Sequence, residues 1–206
     1  MSRLGFTVPP GRAGRLWLTR RLAVARRGAD LLDRKLRILR EETRRLQDVV
    51  AQTAADWDRC CADAERWLLR ASMLGGERAI RLAAGGPAAD VTLSYGSTMG
   101  VRYPDGAACR IPAPANWDGP ALTATRRAHG RALAAAVRHA AAAEALRVVE
   151  AEMLATRYRL RAVKNRWIPR LEQALAEVSL ALEEQELADT ARLRLAARRT
   201  SGPAPA

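Results

Sequence analysis

One phenylalanine in 206 residues, and aromatic content of 4%, leave too little bulky side-chain volume for a large globular core. Cysteine is scarce and odd in number, and two of the three are adjacent, Cys60 and Cys61. That excludes a disulfide framework and fits a reducing compartment. No C-x-x-C pair occurs, and the two histidines, His129 and His139, sit ten apart on different helix faces with no acid or thiol at ligand spacing. No metal site or cofactor is expected. Neither a phosphate-binding G-x-x-x-x-G-K-[ST] loop nor a nucleophile–base arrangement is present, so no catalytic residue is assigned. The opening MSRLGFTVPPGR has no apolar signal core, and no apolar run approaches the roughly 18–20 residues of a membrane span. Lysine is nearly absent: Lys35 and Lys164 stand against 33 arginines, and the net charge is +13. Such a balance suits an acidic partner.

Proline is missing from 11–86, and an uninterrupted apolar seam fills most of that stretch. It reads Leu18, Leu22, Ala25, Ala29, Leu32, Leu36, Leu39, Thr43, Leu46, Val50, Thr53, Trp57, Cys60, Ala64, Trp67, Ala71, Leu74, in alternating steps of four and three. Side chains spaced every 3.5 residues on average lie along one line of a helix and must bury against a partner helix. A helix over 12–74 would be a rod roughly 95 Å long at about 1.5 Å per residue. Gly75 and Gly76 weaken it, a short helix fits 77–84, and Gly85-Gly86-Pro87 stop it. Between 90 and 112 the pattern changes to period two: Val91, Leu93 and Tyr95 alternate with Thr92 and Ser94, and Val101 and Tyr103 flank Arg102. Pro104-Asp105-Gly106 signals a turn, so two or three short strands forming a small hairpin element are expected. Pro112 to Pro120 is a loop, and 199–206 a disordered tail.

A second helix is expected over 123–198. Its seam runs Leu146, Val149, Met153, Thr156, Leu160, Val163, Trp167, then Leu171, Leu175, Val178, Leu182, one residue out of phase. The slip coincides with Pro169, where a kink or local unwinding at Ile168 and Pro169 is expected. The alanine-rich stretch 132–143 makes a thin helix that a neighbour can approach closely. Basic Arg26–Arg40 and acidic Glu172–Asp189 would lie side by side if the chain folds back at the hairpin. The fold class is therefore all-α dominated: a long two-helix antiparallel coiled coil in a single elongated domain (1–206), with a small mid-chain β-hairpin. In this register Leu32 faces Ala181 or Leu182. Acidic pairs such as Glu41-Glu42 read as solvated faces, arginine pairs as positions flanking the seam, and Trp57 and Trp67 as packing. The rival readings are a coiled-coil scaffold and a basic nucleic-acid-binding architectural protein; the acidic stretch 172–189 weighs against specific nucleic acid.

Three segments resemble one family. They are Pro10-Gly-Arg-Ala-Gly-Arg-Leu16 through Arg26-Arg27-Gly28-Ala-Asp-Leu31-Leu32-Asp-Arg-Lys35, then Met99-Gly100-Val101-Arg102-Tyr103-Pro104, then Asn165-Arg-Trp-Ile168-Pro169-Arg-Leu-Glu172. In this order and spacing the set resembles the D subunit, the central-stalk shaft of V-type and A-type ATP synthases and ATPases. The resemblance implies a non-catalytic rotor that couples ATP turnover in a head ring to proton or sodium movement through a membrane ring. It implies as partners the catalytic and non-catalytic head-ring subunits, a small stalk component (the F subunit), and a funnel-like subunit at the stalk base, with no membrane insertion of its own. A cytoplasmic location, peripheral to the inner membrane, follows. Head-ring contacts are expected at Arg12, Arg15, Arg20, Arg21, Arg194 and Arg198. Companion-subunit or hairpin contacts are expected at Tyr95, Met99, Gly100, Val101, Tyr103 and Pro104.

Overall fold

The computed structural model describes residues 7–83, 88–112 and 119–200, with the side chains of 199 and 200 excepted. Its elements run α1 (Gly11–Ala83), β1 (Asp90–Thr98), β2 (Val101–Arg110), α2 (Pro120–Ala162), a π-helical turn (Val163–Trp167) and α3 (Ile168–Thr200). The fold is dominated by antiparallel helix pairing, with one two-stranded antiparallel sheet. The chain divides into two compact units, residues 1–34 with 156–206, and residues 35–155. The expected loop residues Pro114, Asn116 and Trp117, the end of the short helix at residue 84, and the tail residues 201–206 lie outside the described residues. The last helix itself continues to Thr200.

In the unit made of residues 1–34 and 156–206, Leu18 and Leu22 of α1 bury against Leu171 and Ala174 of α3, with Trp17, Ala25, Trp167, Ile168, Leu175 and Val178 packed around them. Leu18 and Leu171 are wholly inaccessible to solvent. Each fully buried leucine is worth roughly 1.5–3 kcal/mol. The helices are antiparallel, since Arg12 reaches Glu186 while Arg26 reaches Glu172 and Lys164 lies against Asp33.

This register corrects the one expected from charge. Leu32 does not face Leu182; its neighbour Asp33 faces Lys164 instead. The expectation laid whole blocks of opposite charge over each other. Exposed ion pairs contribute only about 0–1 kcal/mol apiece, so the apolar seams outweigh them and set the register.

Proline at 169 has no N–H for the carbonyl of Asn165. The helix answers one turn earlier: the Ile168 N–H donates to the Val163 carbonyl, an i to i−5 bond, and Val163–Trp167 forms a π turn. Such a turn absorbs one extra residue. This is why Leu160, Leu171, Ala174 and Leu182 all remain buried despite the one-residue slip in the sequence pattern.

In the unit made of residues 35–155, α1 pairs with α2. Leu39 and Leu46 pack on Ala145 and Val149. Further along, Ala64 meets Ala128 and Ala132, flanked by Cys60, Cys61 and Trp67. Alanine on the α2 side permits the close approach anticipated for a thin helix. Thr125 and Arg131 of α2 reach the Trp67 carbonyl and Asp63 of α1. Beyond Leu46 the seam of α1 is fully buried only at Ala64 and Ala71, and Leu74, expected to continue it, is 79% exposed. The cause is Gly76, whose φ of 69° and ψ of 171° break the helix. Only glycine adopts that conformation without strain. The piece beyond is held at its end by Arg126, which donates to the Ala83 carbonyl.

The hairpin turns at Met99-Gly100, both with positive φ (51° and 80°). This two-residue loop matches the twist of its strands. Pro104-Asp105-Gly106, expected as the turn, lies inside β2. Ser94 pairs with Gly106 and Tyr95 with Pro104, so Asp105 is an unpaired bulge residue. A proline within a strand is accommodated at such a bulge, where the regular ladder is already interrupted.

Candidate interaction surfaces

The hairpin is fastened to α1 by a small polar network. Val101 and Tyr103 of β2 join the Leu39–Leu46 cluster and are 9% and 5% exposed. The Tyr103 hydroxyl donates to Glu42 Oε1 at 2.7 Å, and lies 3.0 Å from the Thr98 hydroxyl, which donates to it. Arg45 holds the same carboxylate through Nε and Nη2. The Arg45 hydrogen bonds hold the Glu42 carboxyl below the usual glutamate range; burial opposes them and the Tyr103 hydrogen bond adds to them. Arg45 is pushed further up by the same pairing. The expectation of a solvated face fails for Glu42. Its side chain is only 14% exposed, and the partner that buries it is 61 residues away in sequence, beyond the reach of helical spacing.

Of the six expected hairpin contacts, Val101, Tyr103 and Pro104 are buried. Tyr95, Met99 and Gly100 remain at the surface. The Arg102 guanidinium lies 4.6 Å from the Tyr95 ring centre. With Val91 and Leu93, Tyr95 gives β1 an exposed apolar row at alternate positions.

The six arginines expected at the head ring have different surroundings. Arg12 is paired with Glu186, and the Arg15 carbonyl accepts the Thr19 hydroxyl. Arg21 lies between two indoles, 5.0 Å from the Trp17 ring centre and 5.5 Å from that of Trp167. Arg20 lines the same groove. Arg194 and Arg198 line a different one on α3, with Leu187, Ala191 and Leu195. The indole–guanidinium–indole arrangement was not visible in the sequence, because the π turn that delivers Trp167 was not. In the other unit Trp57 is 37% exposed rather than packed in the seam, and its ring stacks on His139 at 5.5 Å. His139 Nδ1 also lies 3.2 Å from the Thr53 hydroxyl, which satisfies it within the helix pair.

A family model described as the D subunit of ATP synthase matches residues 16–198, nearly all of the helix–hairpin–helix sequence. The chain belongs to the ATP synthase D-subunit family. Its members are stalk subunits of rotary ATPases, so association with other components of that complex follows from membership. No curated protein sequence matches the chain. The match takes in the π turn, Pro169 and the Met99-Gly100 hairpin tip within one family pattern. Among the described residues of this D-subunit chain, no helix is long and apolar enough to cross a membrane.

Proposed function

We propose that the chain is the central rotor shaft of a V/A-type rotary ATPase of a prokaryote, turning within a ring of catalytic and non-catalytic subunits. It couples ATP turnover there to proton or sodium transport through a membrane ring, without an active site of its own. The observation that carries the reading is the family match along 16–198, which spans both helical arms and the hairpin. The helix pairing supports it physically. Two helices joined along an apolar seam resist bending and twisting better than one, as a torque-bearing element requires.

In this reading Arg12, Arg15, Arg20, Arg21, Arg194 and Arg198 meet acidic loops of the head subunits. The exposed hairpin residues Tyr95, Met99 and Gly100 meet the small companion, the F subunit, while Val101, Tyr103 and Pro104 set the hairpin's attitude. A funnel-like subunit joins the base to the membrane ring. Ile168 and Pro169, with the π turn before them, form a local irregularity in the shaft. The complex lies on the cytoplasmic side, peripheral to the inner membrane.

Reconstitution with V-type catalytic and non-catalytic subunits tests this. Replacing residues 90–111 by a short Gly/Ser linker should weaken companion binding and change ATP turnover, yet leave the helices paired. Trimming 1–11 and 192–206 should weaken seating in the ring and spare companion binding. If neither change alters assembly or turnover, the shaft assignment is wrong.

A further inference from the structure

The helical arm around the π turn carries charge of one sign. From Met153 to Leu171 the sequence holds five arginines, one lysine and no acid. Two of these bases are engaged: Lys164 reaches Asp33, and Arg159 is also partnered. Arg157, Arg161, Arg166 and Arg170 are exposed and pair with no acid among the described residues. Outside the described residues the chain has one acid, Asp118, too little to neutralise four guanidinium groups. The acidic stretch begins at Glu172, which Arg26 engages, and bounds the set at one end.

The sequence spacing of the four arginines is four, five and four. In a regular helix the step of five would throw Arg166 and Arg170 about 100° off the line of the first two. The π turn Val163–Trp167 falls inside that step and absorbs the extra residue. The four therefore stand on one oblique ridge, with neighbouring Cβ atoms about 5–6 Å apart. Like charges one turn apart weaken a helix. A row of them with no offsetting acid breaks a local rule, and such breaks mark sites of function.

The chemistry of the ridge selects its occupant. Guanidinium groups hold phosphate through paired hydrogen bonds. The other exposed residues beside them are Ala162, Asn165 and Pro169, which offer no apolar centre. A folded protein partner is held chiefly by buried apolar or aromatic anchors, whereas a repeating anion is held by charge. Tyr158, three residues before Arg161 and 62% exposed, adds a bare aromatic face on which a base can stack.

We infer that this ridge binds the phosphate backbone of a single-stranded nucleic acid, one phosphate per arginine, with Tyr158 stacked on a base. Binding is weak, independent of base sequence and sensitive to salt. A duplex keeps its bases stacked on one another and leaves Tyr158 nothing to engage. The site goes beyond the rotor reading and does not depend on it.

Fluorescence anisotropy of a labelled oligo(dT), titrated with the full-length chain, tests the site as salt is varied from about 50 to 200 mM. Each phosphate contact on a single strand contributes about 0.7 to the fall of log affinity with log salt. Arg157→Gln, Arg161→Gln, Arg166→Gln and Arg170→Gln together should flatten that slope by about 2.8. A second variant keeps the net charge and moves two arginines off the ridge: Arg161→Ala with Ala162→Arg, and Arg166→Asn with Asn165→Arg. It should lose about half as much slope. Tyr158→Ala should weaken binding at least about fivefold. All these positions are exposed, so circular dichroism should show every variant as helical as the wild type. A transposed variant that binds like the wild type would mean bulk charge alone, and overturns the inference. So does an unchanged slope in the glutamine variant, or a Tyr158→Ala variant that binds as tightly as the wild type. A duplex of equal charge that binds more tightly than the strand, or poly-glutamate that displaces the strand as readily as unlabelled oligo(dT), overturns it equally.

Discussion

Removing one oxygen tests how the hairpin is held. Tyr103→Phe deletes the hydroxyl that donates to Glu42 Oε1 at 2.7 Å and leaves the ring in the Leu39–Leu46 cluster. A hydrogen bond to a charged acceptor contributes about 1.5–3 kcal/mol. The Glu42 carboxylate keeps its Arg45 partner after the change, and the Thr98 hydroxyl can turn to water, so the lower end of that range is expected. Glu42→Gln keeps an acceptor for Tyr103 but loses the charge. Arg45 is 57% exposed, which discounts the ion pair itself to about 1 kcal/mol or less. The two changes act on one bond, so their effects should not add, with a coupling of about 1 kcal/mol. Amide hydrogen exchange at Tyr103, paired with Gly96 across the ladder, reads the local opening free energy directly, whether or not the helices melt in the same step.

The pH dependence carries a definite sign. Glu42 has a folded-state pKa below its unfolded value, so its charge stabilises the hairpin fully above the ordinary glutamate range of about 4.3. That stabilisation is lost as pH falls through the lowered folded value. The wild-type advantage over Glu42→Gln should therefore be present at pH 7 and vanish in acid. Strict additivity of the two substitutions at neutral pH, or an advantage that persists in acid, would falsify the clamp.

Three more outcomes are expected. With the native cysteines replaced by serine, cysteines at Leu22 and Ala174 should crosslink within one chain, while Leu32 with Leu182 should not; the reverse result restores the charge-matched register. Deleting Asn165 together with Pro169→Ala should convert the π turn to regular helix and leave the thermal midpoint within a few degrees, whereas deleting Glu150 from regular helix should turn the seam by about 100° and lower it markedly. Gly76→Ala should strain the break by about 1–3 kcal/mol and speed amide exchange across 77–83, where the Arg126 bond to the Ala83 carbonyl would loosen; unchanged exchange would mean the break is not fixed by that residue.

Helix pairing was legible in the sequence because seams of this length have no other use. The alternating spacing predicts burial of Leu18, Leu22, Leu36, Leu39 and Leu46, and all of them are buried. Register was not legible. It depends on which alanines of α2 and α3 meet which leucines, and alanine carries almost no periodic signal in an alanine-rich helix. The hairpin was visible from its period-two runs, but its turn was misplaced. Pro104-Asp105-Gly106 carries the stronger local turn signal, while the tip needed Met99 to accept a left-handed backbone, which methionine seldom does. Alternation put Val101 and Tyr103 on one face without saying which face meets the helices. That choice is made by Glu42 and the Leu39–Leu46 cluster, both distant in sequence. The irregularity near Pro169 was foreseeable, its π geometry was not, and the stacking of Arg21 between two tryptophans followed the geometry out of view.

The hairpin also has a kinetic consequence. Its strands are joined by two residues, so it closes the shortest loop among the described residues. From there contacts between the helical arms are spaced like the teeth of a zip. Trp67 and Thr125 are 58 residues apart, Thr53 and His139 86, Lys35 and Glu152 117, Arg26 and Glu172 146, and Arg12 and Glu186 174. Forming the last of these first would close a loop of nearly the whole chain. Closing them in order enlarges each loop only slightly, and loop entropy grows slowly with length. Despite such distant pairs, the chain can fold by propagation outward from residues 98–101, so changes at the hairpin tip should slow folding more than equally costly changes near residues 18 or 171.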